Sequence, residues 1–317
     1  MSYSTDDGHS WTTAHCVYAT ALGVNDPSLT VLEDGRLLLR VVGLDVVPTR
    51  EANVLKGRPL FSHRVEHGLV ASVVGNVVYL SEDEGQTWTD LGVSDPSGIV
   101  GGCSRDPILE LPDGSLLMPL YTGAPQRSEM AWVIRSFDAG RTWHQPTVIM
   151  HDPRGAYSQQ HGVNYSETSL LHLGVGELLA LTRADETFHT VDGQFVPVGG
   201  IGELRTARSL DGGLSWSYPE RTGIMGTPGA LLALADGRLL ATYGYRQPPF
   251  GVRACLSVDR GRSWDVAREV VLRTDAPTWD CGYPFTIEVE PGRLFTVYYL
   301  ADEQGVRHVA GTHWRLS

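Results

Sequence analysis

The sequence predicts an all-β fold, a β-propeller, and three observations carry that expectation. An eight-residue pattern, Ser-x-Asp-x-Gly-x-Ser/Thr-Trp, recurs five times along the 317 residues. Between its copies lies a second repeat, an apolar stretch, a glycine turn and another apolar stretch. With 36 glycines and 18 prolines and no long run of apolar residues at helical spacing, the composition favours many short strands and turns over helices. Self-similarity at this period is the signature of a fold built from stacked units.

The short pattern runs from Ser4 to Trp11, Ser81 to Trp88, Ser136 to Trp143, Ser209 to Trp216 and Ser257 to Trp264. Its chemistry is that of a hairpin turn. The carboxylates of Asp6, Asp83, Asp138, Asp211 and Asp259 can accept backbone N–H bonds across the turn, and Gly8, Gly85, Gly140, Gly213 and Gly261 can take positive φ. The tryptophan is expected to plug the hairpin into the core. These aspartates therefore read as structural and not as catalytic or metal-binding groups.

The longer repeat starts at Asp26, Asp106, Glu167, Thr227 and Tyr283, and each copy reads as a β-hairpin. A third strand precedes the later boxes, as in AWVIRS, LRTARS and VRACLS. Hairpin, third strand, box and outer strand make a four-stranded sheet of blade size, and radial packing of such sheets protects their edges. The whole chain, 1–317, reads as one propeller domain with five boxes. The first box has no hairpin before it, and the last hairpin is followed by VRHVAGT, which already fills a third-strand place. The preferred expectation is thus a six-bladed ring with an incomplete first blade. The alternative is a closed ring of five, in which the N-terminal box completes the last blade.

Composition narrows the partners. A net charge of −12 argues against a nucleic-acid backbone or an anionic membrane surface. It leaves room for an anionic small molecule gripped by a few convergent arginines. No apolar run approaches the ~20 residues that span a bilayer, and no signal peptide is apparent. The expected location is cytoplasmic or, if an N-terminal segment is missing, secreted. Four scattered cysteines, without a C-x-x-C pair, read as buried free thiols. No cofactor or metal is implied, and nothing in the sequence sets the oligomeric state.

In a propeller the inner strands begin near one mouth of the central channel, so the residues there converge. These positions hold Asn25 and Asp26, Arg105 and Asp106, Tyr165 and Glu167, and Asp280 and Tyr283; Arg183 and Arg246 end second strands and can reach the same mouth. His161, near Glu167, is a further candidate for binding substrate or donating a proton.

The boxes and hairpins, together with NYSETSLLHL, LLALTR, YGYRQPPFGVR and CGYPFTIEVE, resemble the sialidase (neuraminidase) superfamily of bacterial BNR, or Asp-box, repeat type. The resemblance runs from Ser4 to Trp314. It implies that Tyr283 is a nucleophile with Glu167 as its base, and that Arg183 and Arg246 bind a sugar carboxylate, with Arg253 as the second choice for the latter. A phenol suits a substrate whose own carboxylate would repel an Asp or Glu nucleophile. The family's first carboxylate-binding arginine and its acid/base aspartate belong to the inner part of the first blade, which on the six-bladed reading precedes Met1. Position offers Asp26, Asp45 or Asp106 for the acid and Arg105 for a guanidinium. Tyr299 stands where the family places a supporting glutamate. The implied activity is exo-hydrolysis of a terminal α-linked sialic acid or related acidic sugar, with a glycan as partner. The rivals are a propeller glycosidase acting on another terminal sugar and a non-catalytic glycan-binding propeller.

Overall fold

The computed structural model describes residues 1–18, 24–51, 60–65, 68–94, 102–122, 130–152, 163–186, 188–191, 194–197 and 202–316. Among them there is no α-helix. The strands fall into five blade sheets. The first holds β1 (Val24–Val31), β2 (Leu37–Pro48), β3 (Leu60–Val65), β4 (Leu69–Ser81) and β5 (Thr89–Ser94). The second holds β6 (Gly102–Cys103), β7 (Leu109–Glu110), β8 (Leu116–Thr122), β9 (Ala131–Ser136) and β10 (His144–Met150). In the third, β11 (Val163–Gly174) and β12 (Glu177–Glu186) are followed by a separate ribbon, β13 (Phe188–Val191) with β14 (Gln194–Pro197), before β15 (Glu203–Ser209) and β16 (Glu220–Met225) complete the sheet. The fourth is β17 (Gly229–Ala233), β18 (Leu239–Tyr245), β19 (Gly251–Ser257) and β20 (Val270–Arg273). The fifth has three strands, β21 (Cys281–Glu290), β22 (Arg293–Ala301) and β23 (Arg307–Arg315). All pairings are antiparallel in the hairpin order read from the sequence, with VRHVAGT in the third-strand place of the last blade.

Five blades, and no sixth blade sheet among the described residues, correspond to the five-bladed alternative and not to the preferred six-bladed expectation. The N-terminal box does not form a strand; it is laid against the fifth blade. There Arg293 pairs with Asp7 at 2.7 Å and the rings of His9 and His313 stack. The same segment reaches the first blade, where Tyr3 donates to the Gly85 carbonyl and Val17 and Tyr18 cover Leu39, Val41 and Tyr79.

The core lies between blades. Leu38, Val78 and Leu80 of the first meet Leu116, Met118 and Ile134 of the second; Leu117 and Val133 of the second meet Leu178 and Ala207 of the third. Leu181 and Leu204 of the third meet Ala241 and Tyr243 of the fourth, and Val252 of the fourth meets Tyr298 and Leu300 of the fifth. The second, third and fourth blades are thus apolar on both faces, as a sheet sandwiched between two others must be.

The boxes behave as turns. Asp6, Asp83, Asp138, Asp211 and Asp259 accept the backbone N–H four residues on, at 2.8–2.9 Å. The serine that opens each box caps the N–H of its glycine, which has positive φ. The tryptophans differ. Trp143 and Trp264 are 6% and 8% exposed, whereas Trp11 is 52% exposed, contrary to the expectation that every box would be plugged into the core. Cys255 and Cys281 are buried free thiols as expected, but Cys16 is exposed.

Candidate active site

Three inner strands break register at their beginnings: β1 between Asn25 and Ser28, β11 between Tyr165 and Thr168, and β21 between Gly282 and Phe285. The residue in each irregularity is Asp26, Glu167 or Tyr283. A bulge re-aims a side chain out of the strand's alternation, and Asp26 and Tyr283 accomplish it with left-handed φ of 48° and 51°. Local irregularity at corresponding places in three blades thus converges three functional groups on one mouth. Gly282, also at positive φ, lies flush against Gly244, an approach that a Cβ on either would block.

The centre of the cluster is a phenol on a carboxylate. The Tyr283 hydroxyl donates to Glu167 Oε1 at 2.6 Å. Ser166 Oγ donates to Glu167 Oε2 at 2.8 Å, and Arg183 Nη1 lies 3.3–3.4 Å from both oxygens. Burial pushes Glu167 up, but Arg183, the Tyr283 hydroxyl and Ser166 together outweigh it and hold the carboxyl at about 2. Tyr283 moves the other way. Its burial first, then the charges of Glu167 and Asp26, raise it well above the ordinary phenol value. The resting pair is therefore phenol and carboxylate, and the proton crosses only when the phenol oxygen begins to share its electrons with another atom.

The arginines divide by occupation. Arg105 is buried and spent: Nη1 donates to Asp106 and to the Gly229 carbonyl, and Nη2 to the Pro284 carbonyl at 2.9 Å. Its guanidinium lies 5.1 Å from the centre of the Tyr283 ring. One side chain of the second blade thus ties the fourth and fifth together beneath the tyrosine. Arg246 also faces that ring, at 5.6 Å, and is braced by Nε on the Cys281 carbonyl and Nη2 on the Tyr299 hydroxyl. Its Nη1 makes no hydrogen bond among the described residues. Arg183 is shared between Glu167 and, through Nε at 2.8 Å, Asp185.

Of the candidate acids, Asp26 is raised to about 6 by burial first and then by the charge of Glu167, against the pull of Arg40 and Arg105. Asp106 is also raised by burial, yet it is engaged by Arg105 at 3.1 Å. Asp45 lies at the far half of β2, opposite Ser72. Asp280 accepts from Tyr299 at 2.8 Å and pairs with Arg307, so it supports Arg246 at one remove.

The structure does not bring Arg253 to this cluster. It lies on β19 opposite Tyr243, with its guanidinium on the Tyr245 ring and paired with Glu269 at 2.7 Å, inside its own blade. His161 falls outside the described residues. Two charged groups near the site were missed. Arg40 is fully buried and donates to Ser28, the Ser104 carbonyl and the Asp106 carbonyl, behind Arg105. A guanidinium in the apolar run LLLRVV was its visible signal. Asp185 stands two residues after Arg183 and is raised by burial first. No group of three or more metal-ligating side chains occurs among the described residues.

A family model described as a BNR repeat-like domain matches residues 60–296. Among solved structures, a protein of unknown function from Dyadobacter fermentans DSM 18053 is similar at 27% identity and a TM-score of 0.78, over 99% of this chain and 82% of that one. The Hadza microbial sialidase Hz136 is similar at 18% identity and a TM-score of 0.62, over 99% of this chain and 58% of that one. The NanB sialidase from Streptococcus pneumoniae follows at 13% and 0.61, over 99% and 63%. The chain spans less than two thirds of either sialidase, and at such identities these two likenesses show the fold. No curated protein matches the sequence.

Proposed function

The chain belongs to the BNR repeat-like domain family, and on that premise we propose that it is an exo-glycosidase of sialidase type, cleaving a terminal acidic sugar such as an α-linked sialic acid through a tyrosine nucleophile. The observation that carries this reading is the 2.6 Å hydrogen bond from Tyr283 to Glu167, at a mouth that also gathers Arg246, Arg183 and Asp26. Arg246 offers its open Nη1 to the sugar carboxylate, and Arg183 lies beside it. The Tyr283 oxygen bonds to the anomeric carbon as the glycosidic C–O bond breaks. The phenol proton passes to Glu167, and protonated Asp26 gives its proton to the departing oxygen. Water then attacks the same carbon, losing a proton to Asp26, while the phenol oxygen leaves and recovers its proton from Glu167. Two displacements give retention. Arg105 and Arg246 over the ring face stabilise the charge that develops on the phenol oxygen.

A second reading, hydrolysis of a different terminal sugar on the same machinery, is favoured by the occupation of the arginines: Arg105 is consumed and Arg183 is shared by two carboxylates. Release of fluorophore from 4-methylumbelliferyl sialoside, beside a panel of uronides and neutral glycosides, tests both. Turnover of the sialoside, lost in Tyr283→Phe, is the expected result. Turnover of a neutral glycoside alone overturns the acidic-sugar reading, and no turnover of any glycoside leaves a glycan-binding propeller.

A further inference from the structure

Seven of the eight tryptophans have a structural place. Five close boxes, and Trp132 and Trp314 pack against apolar clusters between blades. Trp279 does neither. It lies between β20 and β21, four residues before Tyr283, and is 55% exposed.

The indole is exposed, yet it is held. The segment that carries it is fastened on either side. Before it, Ala276 is buried and its N–H donates to the Phe250 carbonyl at 3.3 Å; after it, buried Cys281 donates its N–H back to the Trp279 carbonyl at 2.9 Å. Between them Asp280 N donates to Thr278 Oγ1 at 3.2 Å. The ring itself lies beside Arg246, whose Cζ is 5.7 Å from the ring centre. That guanidinium is in turn fixed by the Cys281 carbonyl and the Tyr299 hydroxyl. A cation over an aromatic face restrains the indole without covering it. The indole N–H makes no hydrogen bond among the described residues. A flat apolar face and a free donor are thus presented together, on a fixed backbone, beside the guanidinium offered to substrate.

Depth separates Trp279 from the reacting groups. Glu167, Arg105 and Arg246 are buried and make the floor of the site, whereas Trp279 stands at its rim. An enzyme that removes a terminal sugar seats that sugar on the floor, and the rest of the glycan has to pass out over the rim. The C–H face of a pyranose stacks on an indole, and its hydroxyls accept from an indole N–H. We propose that Trp279 is the platform for the sugar to which the cleaved one is attached, and that it gives the protein a preference for a sugar over a small alcohol as the leaving group. This inference rests on the exo-glycosidase reading and adds to it a second subsite.

The test compares kcat/KM for methyl α-sialoside and for sialyllactose, whose leaving groups are both alcohols and differ in carrying a sugar ring. The wild type is expected to prefer sialyllactose by about tenfold, the contribution of one stacked ring. In Trp279→Ala that ratio falls to about one, through a higher KM for sialyllactose, and Trp279→Phe, which keeps an aromatic face, retains most of it. Both variants keep a Tm near that of the wild type, because the side chain is exposed and outside the core. A ratio near one in the wild type, or a ratio that survives Trp279→Ala, overturns the proposal and leaves the acidic-sugar reading standing. Equal losses on the two substrates also overturn it and make Trp279 a cover for Arg246. Hydrolysis of a neutral glycoside in place of both sialosides overturns the acidic-sugar reading instead, and the ratio is then read between the methyl glycoside and the disaccharide of that sugar. No turnover of any glycoside overturns both.

Discussion

At the scale of single residues, the site is a balance of four guanidiniums, Arg40, Arg105, Arg183 and Arg246, and five carboxyls, Asp26, Asp106, Glu167, Asp185 and Asp280, and position in that balance decides each role. Asp26 is the group left without a close cation of its own. Its carboxyl is raised from 3.8 to about 6, so its contribution to stability is fully present below 3.8 and is lost as pH rises through 6. Asp26→Asn is therefore expected to leave Tm unchanged at pH 4 and raise it at pH 8, where the gain in unfolding free energy reaches up to about 3 kcal/mol, while turnover collapses; a Tm difference equal at both pH values contradicts the assignment. Arg105→Lys separates support from substrate binding. A lysine cannot donate along the three directions to Asp106, Gly229 and Pro284 at once. The expected outcome is a fall in kcat of about 100-fold with little change in KM, whereas a rise in KM alone marks a substrate ligand. Glu167, Tyr283 and Arg246 were legible because the repeat fixes where inner and second strands start and stop. Arg253 was misplaced because YGYRQPPFGVR spans a strand end and the next strand's start, and only pairing shows that Arg253 faces Glu269. Arg40 left a trace, a guanidinium in the apolar run LLLRVV, but the partners it reaches are set by long-range packing, and Asp185, two residues after Arg183, left none.

At the scale of the element, turn and strand do separate work. The boxes fix each outer turn through local hydrogen bonds that any reader of the sequence can anticipate. The bulges that aim Asp26, Glu167 and Tyr283 leave no comparable trace, since a register shift depends on two strands at once. Asp138→Ala removes the acceptor for Thr142 N, Thr142 Oγ1 and Ser136 Oγ in a box held against the first blade, and is expected to cost about 1–3 kcal/mol by denaturant unfolding. Asp6→Ala makes the same local deletion in the box whose tryptophan is exposed, and its cost is expected to be clearly smaller. Equal costs would mean that the boxes act only as turns and draw nothing from their neighbours.

At the scale of the whole molecule, propeller architecture was legible from periodicity alone, but the number of sheets was not. The orphan box permitted two rings, and the difference lies in what it packs on, which no local pattern records. The packing also departs from a chain of independent repeats, in which each unit answers only to its neighbours. Arg105 joins the second, fourth and fifth blades across the channel. That strut removes the option of losing one blade quietly. When heat or denaturant peels any of the three away, Arg105 loses an anchor and with it the fixed hold on the Pro284 carbonyl next to Tyr283, so on the enzymatic reading loss of activity and loss of structure are expected together. Residual activity and far-ultraviolet circular dichroism, followed through the same urea titration, are accordingly expected to fall along one curve, and activity disappearing at lower urea would place the strut outside the cooperative unit. The mouth thereby draws its rigidity from across the channel, with one guanidinium acting as a keystone whose removal loosens three blades at once.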